Sequence, residues 1–143
     1  MTVLDFVKSK AKFHSDMTYN LPKKSFIMDP CQCTVAGIYI IMHNFNILKV
    51  GKAEGKYGLQ GRLSSYTHDL TKRVNDKSVQ LFERVMMGPL KDKTLQVYTY
   101  QVPAQKIMIE GYELQSHYAR SLEYILSKQA MDEGHFMLLS GQH

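Results

Sequence analysis

Two β-rich runs separated by four turn residues lie near the middle of this chain, and no other feature restricts its fold as much. Gly37-Ile38-Tyr39-Ile40-Ile41-Met42 and Ile47-Leu48-Lys49-Val50-Gly51 flank His43-Asn44-Phe45-Asn46, so the segment reads as a hairpin. A turn centred on Asn44 and Phe45 makes the numbers of cross-strand partners sum to about 89, which sets Tyr39 beside residues 49–51. The loop Gly51-Lys52-Ala53-Glu54-Gly55-Lys56-Tyr57-Gly58 follows directly. It is not a phosphate-cradling Walker A loop, because its glycine spacing is one residue short and Tyr57 stands where that motif needs Ser or Thr.

Beyond the loop, Leu59, Leu63, Tyr66, Leu70 and Val74 recur at three- and four-residue intervals, the stripe of a core-facing helix with Arg62 on its flank. Residues 78–87 read as a second helical piece ended by Gly88-Pro89. Residues 95–102 alternate, are rich in Tyr, Val and Thr, and stop at Pro103, which predicts a third strand. Leu114, Tyr118, Leu122 and Ile125 predict a long helix running to about residue 130, with Glu113, His117 and Arg120 sharing its opposite face. Before the hairpin, Leu4, Val7 and Ala11 interleave with Lys8, Lys10 and Lys12 as a short amphipathic helix. Residues 19–33 carry Pro22 and Pro30 without a period and read as a loop. The expected fold is therefore α+β: a helical extension and loop at residues 1–34, then a β-β-α-β-α domain at 35–143, its three-stranded antiparallel sheet flanked by helices.

A chain of 143 residues, 44% of them hydrophobic, makes one ordinary globular domain. Its net charge of +5 favours polyanionic partners. The longest apolar run, residues 35–42, falls far short of the roughly 20 residues that span a bilayer. Residues 1–14 mix charged with apolar side chains and contain no signal-peptide core, so the expected location is cytoplasmic, with no membrane partner. Cys31 and Cys33, one residue apart, are poorly placed for a mutual disulfide. The six histidines show no paired zinc-ligand spacing, and there is no second cysteine pair.

Gly37-Ile38-Tyr39, a short turn, Lys49-Val50-Gly51-Lys52 and a following helix with Arg62 together resemble the catalytic module of the GIY-YIG endonucleases. The resemblance covers residues 37–130 and leaves residues 1–30 outside it. It implies a phosphodiesterase that uses one divalent cation, Mg²⁺ with Mn²⁺ as a substitute, and acts on DNA in a bacterial or phage-infected cell. In that family Tyr39 would deprotonate or orient water, which a phenol does only where positive charge favours the phenolate; Lys49, Lys52 or the metal would provide it. Arg62 would steady charge growing on the phosphate oxygens. Lys49 departs from the pattern, since the family usually has Tyr there, and matches a restriction-enzyme subgroup that carries Lys. Tyr66, His68 and His117 are further candidates for the site. The metal ligand would be a Glu on the last helix: Glu113, in an E-x-x-x-H arrangement with His117, with Glu123 as the alternative and Glu110 a third choice. No separate DNA-binding domain is expected beside the module. Specificity would then come from residues 1–30, from residues 75–92 or from homodimerisation. The rival reading, prompted by Lys49, is a catalytically weak module of the same fold that binds nucleic acid or a protein partner.

Overall fold

A computed structural model of the chain describes residues 1–68, 86 and 88–137. The central hairpin forms as expected from β3 (Gly37–His43) and β4 (Asn46–Ala53), with Asn44 and Phe45 both at positive φ in the turn. Near the tip Met42 pairs with Ile47, but further down Ile41 pairs with Lys49 and Tyr39 with Gly51. Leu48 is therefore an extra residue, a bulge of the kind that shifts a strand's register by one. Directly opposed residues present their side chains to the same face. The bulge thereby puts Lys49 and Gly51 on the face of Tyr39 and Ile41.

The sheet is wider than the sequence predicts. It has five antiparallel strands in the order β2-β1-β5-β3-β4, where β1 is Lys12–Asn20, β2 is Ser25–Ile27 and β5 is Leu95–Gln101. The expected strand at 95–102 is thus β5, whereas β1 and β2 replace part of the predicted extension and loop. Alternation is present in β1, where Ser15 and Met17 are buried and Tyr19 is half-buried, but a serine inside and an exposed Phe13 outside blur it. The strand is held by pairing with β5 more than by its own hydrophobicity.

Helices cover both faces. One core holds Tyr39 and Ile41 of β3 with Met17, Phe26, Val97, Leu59, Leu63 and Tyr66. The second holds Ile38, Ile40 and Met42 with Val3 and Val7 of α1 (Val3–Ser9) and with Ala119, Leu126 and Ala130 of α3 (Ala119–Asp132). An uninterrupted apolar run such as residues 38–42 is what a central strand buried on both faces requires. The helix after the glycine-rich loop, α2 (Gly58–Ser64), continues into a short 3₁₀ turn at Ser65–Thr67, and Leu59, Leu63 and Tyr66 are buried as their spacing predicts. Leu70 and Val74 of that stripe lie outside the described residues, as does the predicted piece at 78–87 except for buried Met86.

The largest departure is at residues 105–118. Instead of starting near residue 114, the last helix starts at Ala119, and a second hairpin precedes it, β6 (Gln105–Ile109) and β7 (Tyr112–Ser116). Glu110 and Gly111 form its turn with φ of 51° and 82°, the doubly left-handed geometry for which glycine is favoured. The cross-strand pairs Ile107–Leu114 and Ile109–Tyr112 put four large apolar side chains on one exposed face. Across the hairpin, the Lys106 ammonium lies 3.4 Å from the Glu113 carboxylate. The stripe 114, 118, 122, 125 is therefore no buried helix face. In α3 the buried positions are Ala119, Glu123, Leu126, Ser127 and Ala130, while Tyr118, at the helix start, and Ile125 are exposed. Small residues let α3 approach the sheet closely, and a search for large apolar side chains misses a face built from them. Among the described residues, no helix is long and apolar enough to cross a membrane.

Candidate active site at the edge of the sheet

Strand β4 is an outer strand of the sheet, and a cleft of about 90 Å³ opens along it, lined by Tyr39, Lys49, Val50, Gly51, Lys52, Arg62 and Glu123. Three elements converge there. The hairpin supplies Tyr39, Lys49 and Lys52, α2 supplies Arg62, and α3 supplies Glu123 from the other layer.

Tyr39 is fully buried, and its ring lies across β4 over Gly51, where a β-carbon would collide with the Tyr39 Cζ, Cε1 and hydroxyl. Only glycine accommodates the ring so close to the strand. The Tyr39 hydroxyl lies 2.7 Å from the Tyr66 hydroxyl and accepts a hydrogen bond from Arg62 Nε at 3.3 Å. The Arg62 guanidinium also stands over the Tyr66 ring, 5.5 Å from its centre, and the two phenol rings meet edge to face with centroids 5.9 Å apart. Tyr66 therefore continues the core stripe of the helical segment and also orients Tyr39. The two readings of that residue do not compete.

The position of Arg62 depends on the start of α2. Gly58 has φ of 54°, and a β-carbon there would strike the carbonyls of Thr34 and Val35. That close approach lets Leu59 N–H donate to Val35 O at 3.1 Å and Gln60 N–H to Cys33 O at 2.7 Å. The free amide donors of the helix start are thereby tied to the segment entering β3. Arg62 sits one turn further along and reaches Tyr39 from there.

Two charged residues of the cleft are buried, Lys49 at 6% exposure and Glu123 at 6%, which is rare for these residue types. Lys52 and Arg62 are half-buried. Of the sequence candidates, Tyr39, Lys49, Lys52, Arg62 and Glu123 are thus brought together, with Tyr66 directly behind them. Glu113, His68, His117 and Glu110 do not line the cleft. Glu113 sits on the exposed β7, Glu110 in the turn before it, and His117 is exposed between β7 and α3. His68 is exposed, its Nδ1 2.8 Å from the Ser64 carbonyl. The preference for Glu113 followed from assigning residues 113–117 to a helix; they are strand and connection, so Glu113 and His117 do not share a helical face. Among the described residues no group of three or more His, Cys, Asp or Glu is placed to hold a metal ion, and Glu123 is the one carboxylate that lines this cleft.

No protein-family model matches the chain, and no curated protein matches it in sequence. Among solved structures it is similar to a mutant of bacteriophage T4 EndoII, with a TM-score of 0.61 and 12% identity over 90% of this chain and 94% of that one. The restriction endonuclease HPY188I, in complex with product DNA, aligns with a TM-score of 0.43 and 15% identity over 92% of this chain and 87% of that one. At this identity the likeness to EndoII is one of fold: a wide sheet with helices on both faces, extending through nearly the whole chain.

Proposed function

We propose that this protein is a divalent-metal-dependent endonuclease of the GIY-YIG type that hydrolyses phosphodiester bonds in DNA. The observation that carries the reading is the convergence of Tyr39, Lys49, Lys52, Arg62 and Glu123 on one small cleft, from three elements and both layers of the fold. These are the residues that the motif resemblance singles out, with Glu123 as its alternative acid. The fold shared with EndoII supports the same reading.

The chemistry of the donors fits a hard cation that keeps most of its water. Mg²⁺ is commonly held by one or two carboxylates together with substrate phosphates, and Glu123 is a single buried carboxylate facing three cationic side chains suited to phosphate. When bound, such an ion supplies positive charge to the phosphate oxygens and the departing group. The remaining work belongs to the chain. Arg62 donates through Nε to Tyr39 and lines the cleft, where a planar, permanently charged group stabilises negative charge developing on a phosphate oxygen. The Tyr39 oxygen, held by Arg62 and Tyr66, is positioned to accept a hydrogen bond from the attacking water and align it with phosphorus. Lys49 and Lys52 hold the remaining phosphate oxygens as point charges.

Incubating supercoiled DNA with Mg²⁺, Mn²⁺ or EDTA tests the proposal. Nicked or linear product with either metal and none with EDTA is expected. Retarded migration without cleavage in any metal would instead favour the binding module that Lys49 suggests.

A further inference from the structure

Glu54 and Arg120 form a pair that the proposed chemistry leaves unused. Glu54 follows the last residue of β4, two positions after Lys52, and its side chain is only 16% exposed. Its Oε2 accepts from Arg120 Nη2 at 3.3 Å, while Oε1 is buried with no hydrogen-bond partner among the described residues. Arg120 is 71% exposed. It precedes Glu123 by three residues on α3, so both side chains share one helix face, about one 5.4 Å turn apart.

As a stability device this arrangement is poor. A buried carboxylate with one oxygen unsatisfied is costly, and an ion pair whose cation is mostly in water returns little. What the pair does achieve is to hold a long cationic side chain in one place while leaving most of its five donors facing solvent. Ordering such a side chain in advance lowers the entropic cost of using it in binding.

Building on the endonuclease reading, we infer that Arg120, tethered by Glu54, grips a backbone phosphate one or two nucleotides from the one held in the cleft. Successive nucleotides of a strand rise by roughly 3.4 Å, so a helical turn spans that distance. The planar guanidinium matches the tetrahedral oxygens bidentately. Arg120 is then a substrate-binding residue and Glu54 a positioning residue.

The test uses a long DNA duplex, its cleavage measured with Mg²⁺ and its binding measured in EDTA across a range of salt concentrations. Arg120→Ala is expected to weaken cleavage about tenfold, with the larger part of the loss in KM. It should also make the log affinity against log salt line shallower by about one unit. Arg120→Lys should restore that slope but only part of the KM, because it keeps the charge and loses the fork. Glu54→Gln should raise KM by a smaller factor and leave the slope as in wild type, since Arg120 remains but is no longer held. An unchanged slope in Arg120→Ala, or a loss confined to kcat, overturns the inference. Wild-type protein that binds the duplex but never cuts it overturns the endonuclease reading alone, because the salt slope still decides whether Arg120 meets a phosphate.

Discussion

Tyr39 is wholly buried yet lines the cleft, so removing its one hydroxyl oxygen separates packing from chemistry. Tyr39→Phe keeps the ring over Gly51 and leaves Tyr66 and Arg62 each short of one partner. We expect it to cost about 1 kcal/mol of stability. Cleavage should fall by at least ~10²-fold, and Arg62→Ala should do the same, the size typical of a lost charge-stabilising donor. Thermal melts alongside nicking rates check both, and near-wild-type turnover in either variant removes that residue from the mechanism. The acids give a second comparison. Glu123→Gln should abolish metal-dependent cleavage, whereas Glu113→Gln loses only an exposed pair with Lys106 and should cleave as wild type does. The reverse result would place the metal away from this cleft.

At the scale of elements, the bulge in β4 shifts the register between the hairpin tip and the residues that face Tyr39. Deleting Leu48 would remove the extra residue and leave a regular ladder, with Met42 opposite Ile47 and Ile41 opposite Lys49, so Lys49 and Gly51 stay on the face of Tyr39. That variant should keep cleavage, while its melting temperature should drop because the buried Leu48 side chain is lost from the core beside Tyr39 and Leu59. Lost cleavage in a folded variant would show that the bulge's local twist, beyond the pairing it permits, shapes the site. Helix α1 offers a pH-dependent test. The Thr2 hydroxyl accepts from Asp5 N–H at 3.0 Å, and the Asp5 carboxylate accepts from Thr2 N–H at 3.1 Å. Hydrogen bonds from Thr2, the backbone one foremost, hold the Asp5 carboxyl below its usual range. A carboxyl whose folded pKa is depressed adds stability above its unfolded pKa and loses it as pH falls through the folded value. Asp5→Asn should therefore melt below wild type at neutral pH, and the gap should close in acid. A gap that stays constant with pH would rule out the carboxylate as its source.

Across the whole molecule, the net charge of +5 has a local focus, since Lys49, Lys52 and Arg62 line one cleft at the sheet edge. If each cation displaces one counterion from duplex DNA, log affinity should fall with log salt at a slope of roughly −3 or steeper. A flat salt response in a binding titration would remove DNA from the proposal. The central hairpin, the helix carrying Arg62 and strand β5 were legible in the sequence because each rests on local signals: turn residues, glycine spacing and a hydrophobic period that its own packing satisfies. So were Tyr39, Lys49, Lys52 and Arg62 as a group, since a hairpin and the helix after it bring near neighbours together. Beyond these local elements, tertiary contacts decided the structure. Strand β1 owes its place to pairing with β5, about eighty residues away in the chain, and its own weak alternation does not announce it. The second hairpin turns on Glu110-Gly111, a two-residue signal that an overlapping helical period masked. The choice between Glu113 and Glu123 followed from that turn, because it ends the apparent helix before residue 119 and rotates the buried face of α3 onto its small residues. Glutamates are common on helices, and period alone does not distinguish them; only the packing of α3 against β4 brings Glu123, buried, to the cleft that Tyr39 and Arg62 already line.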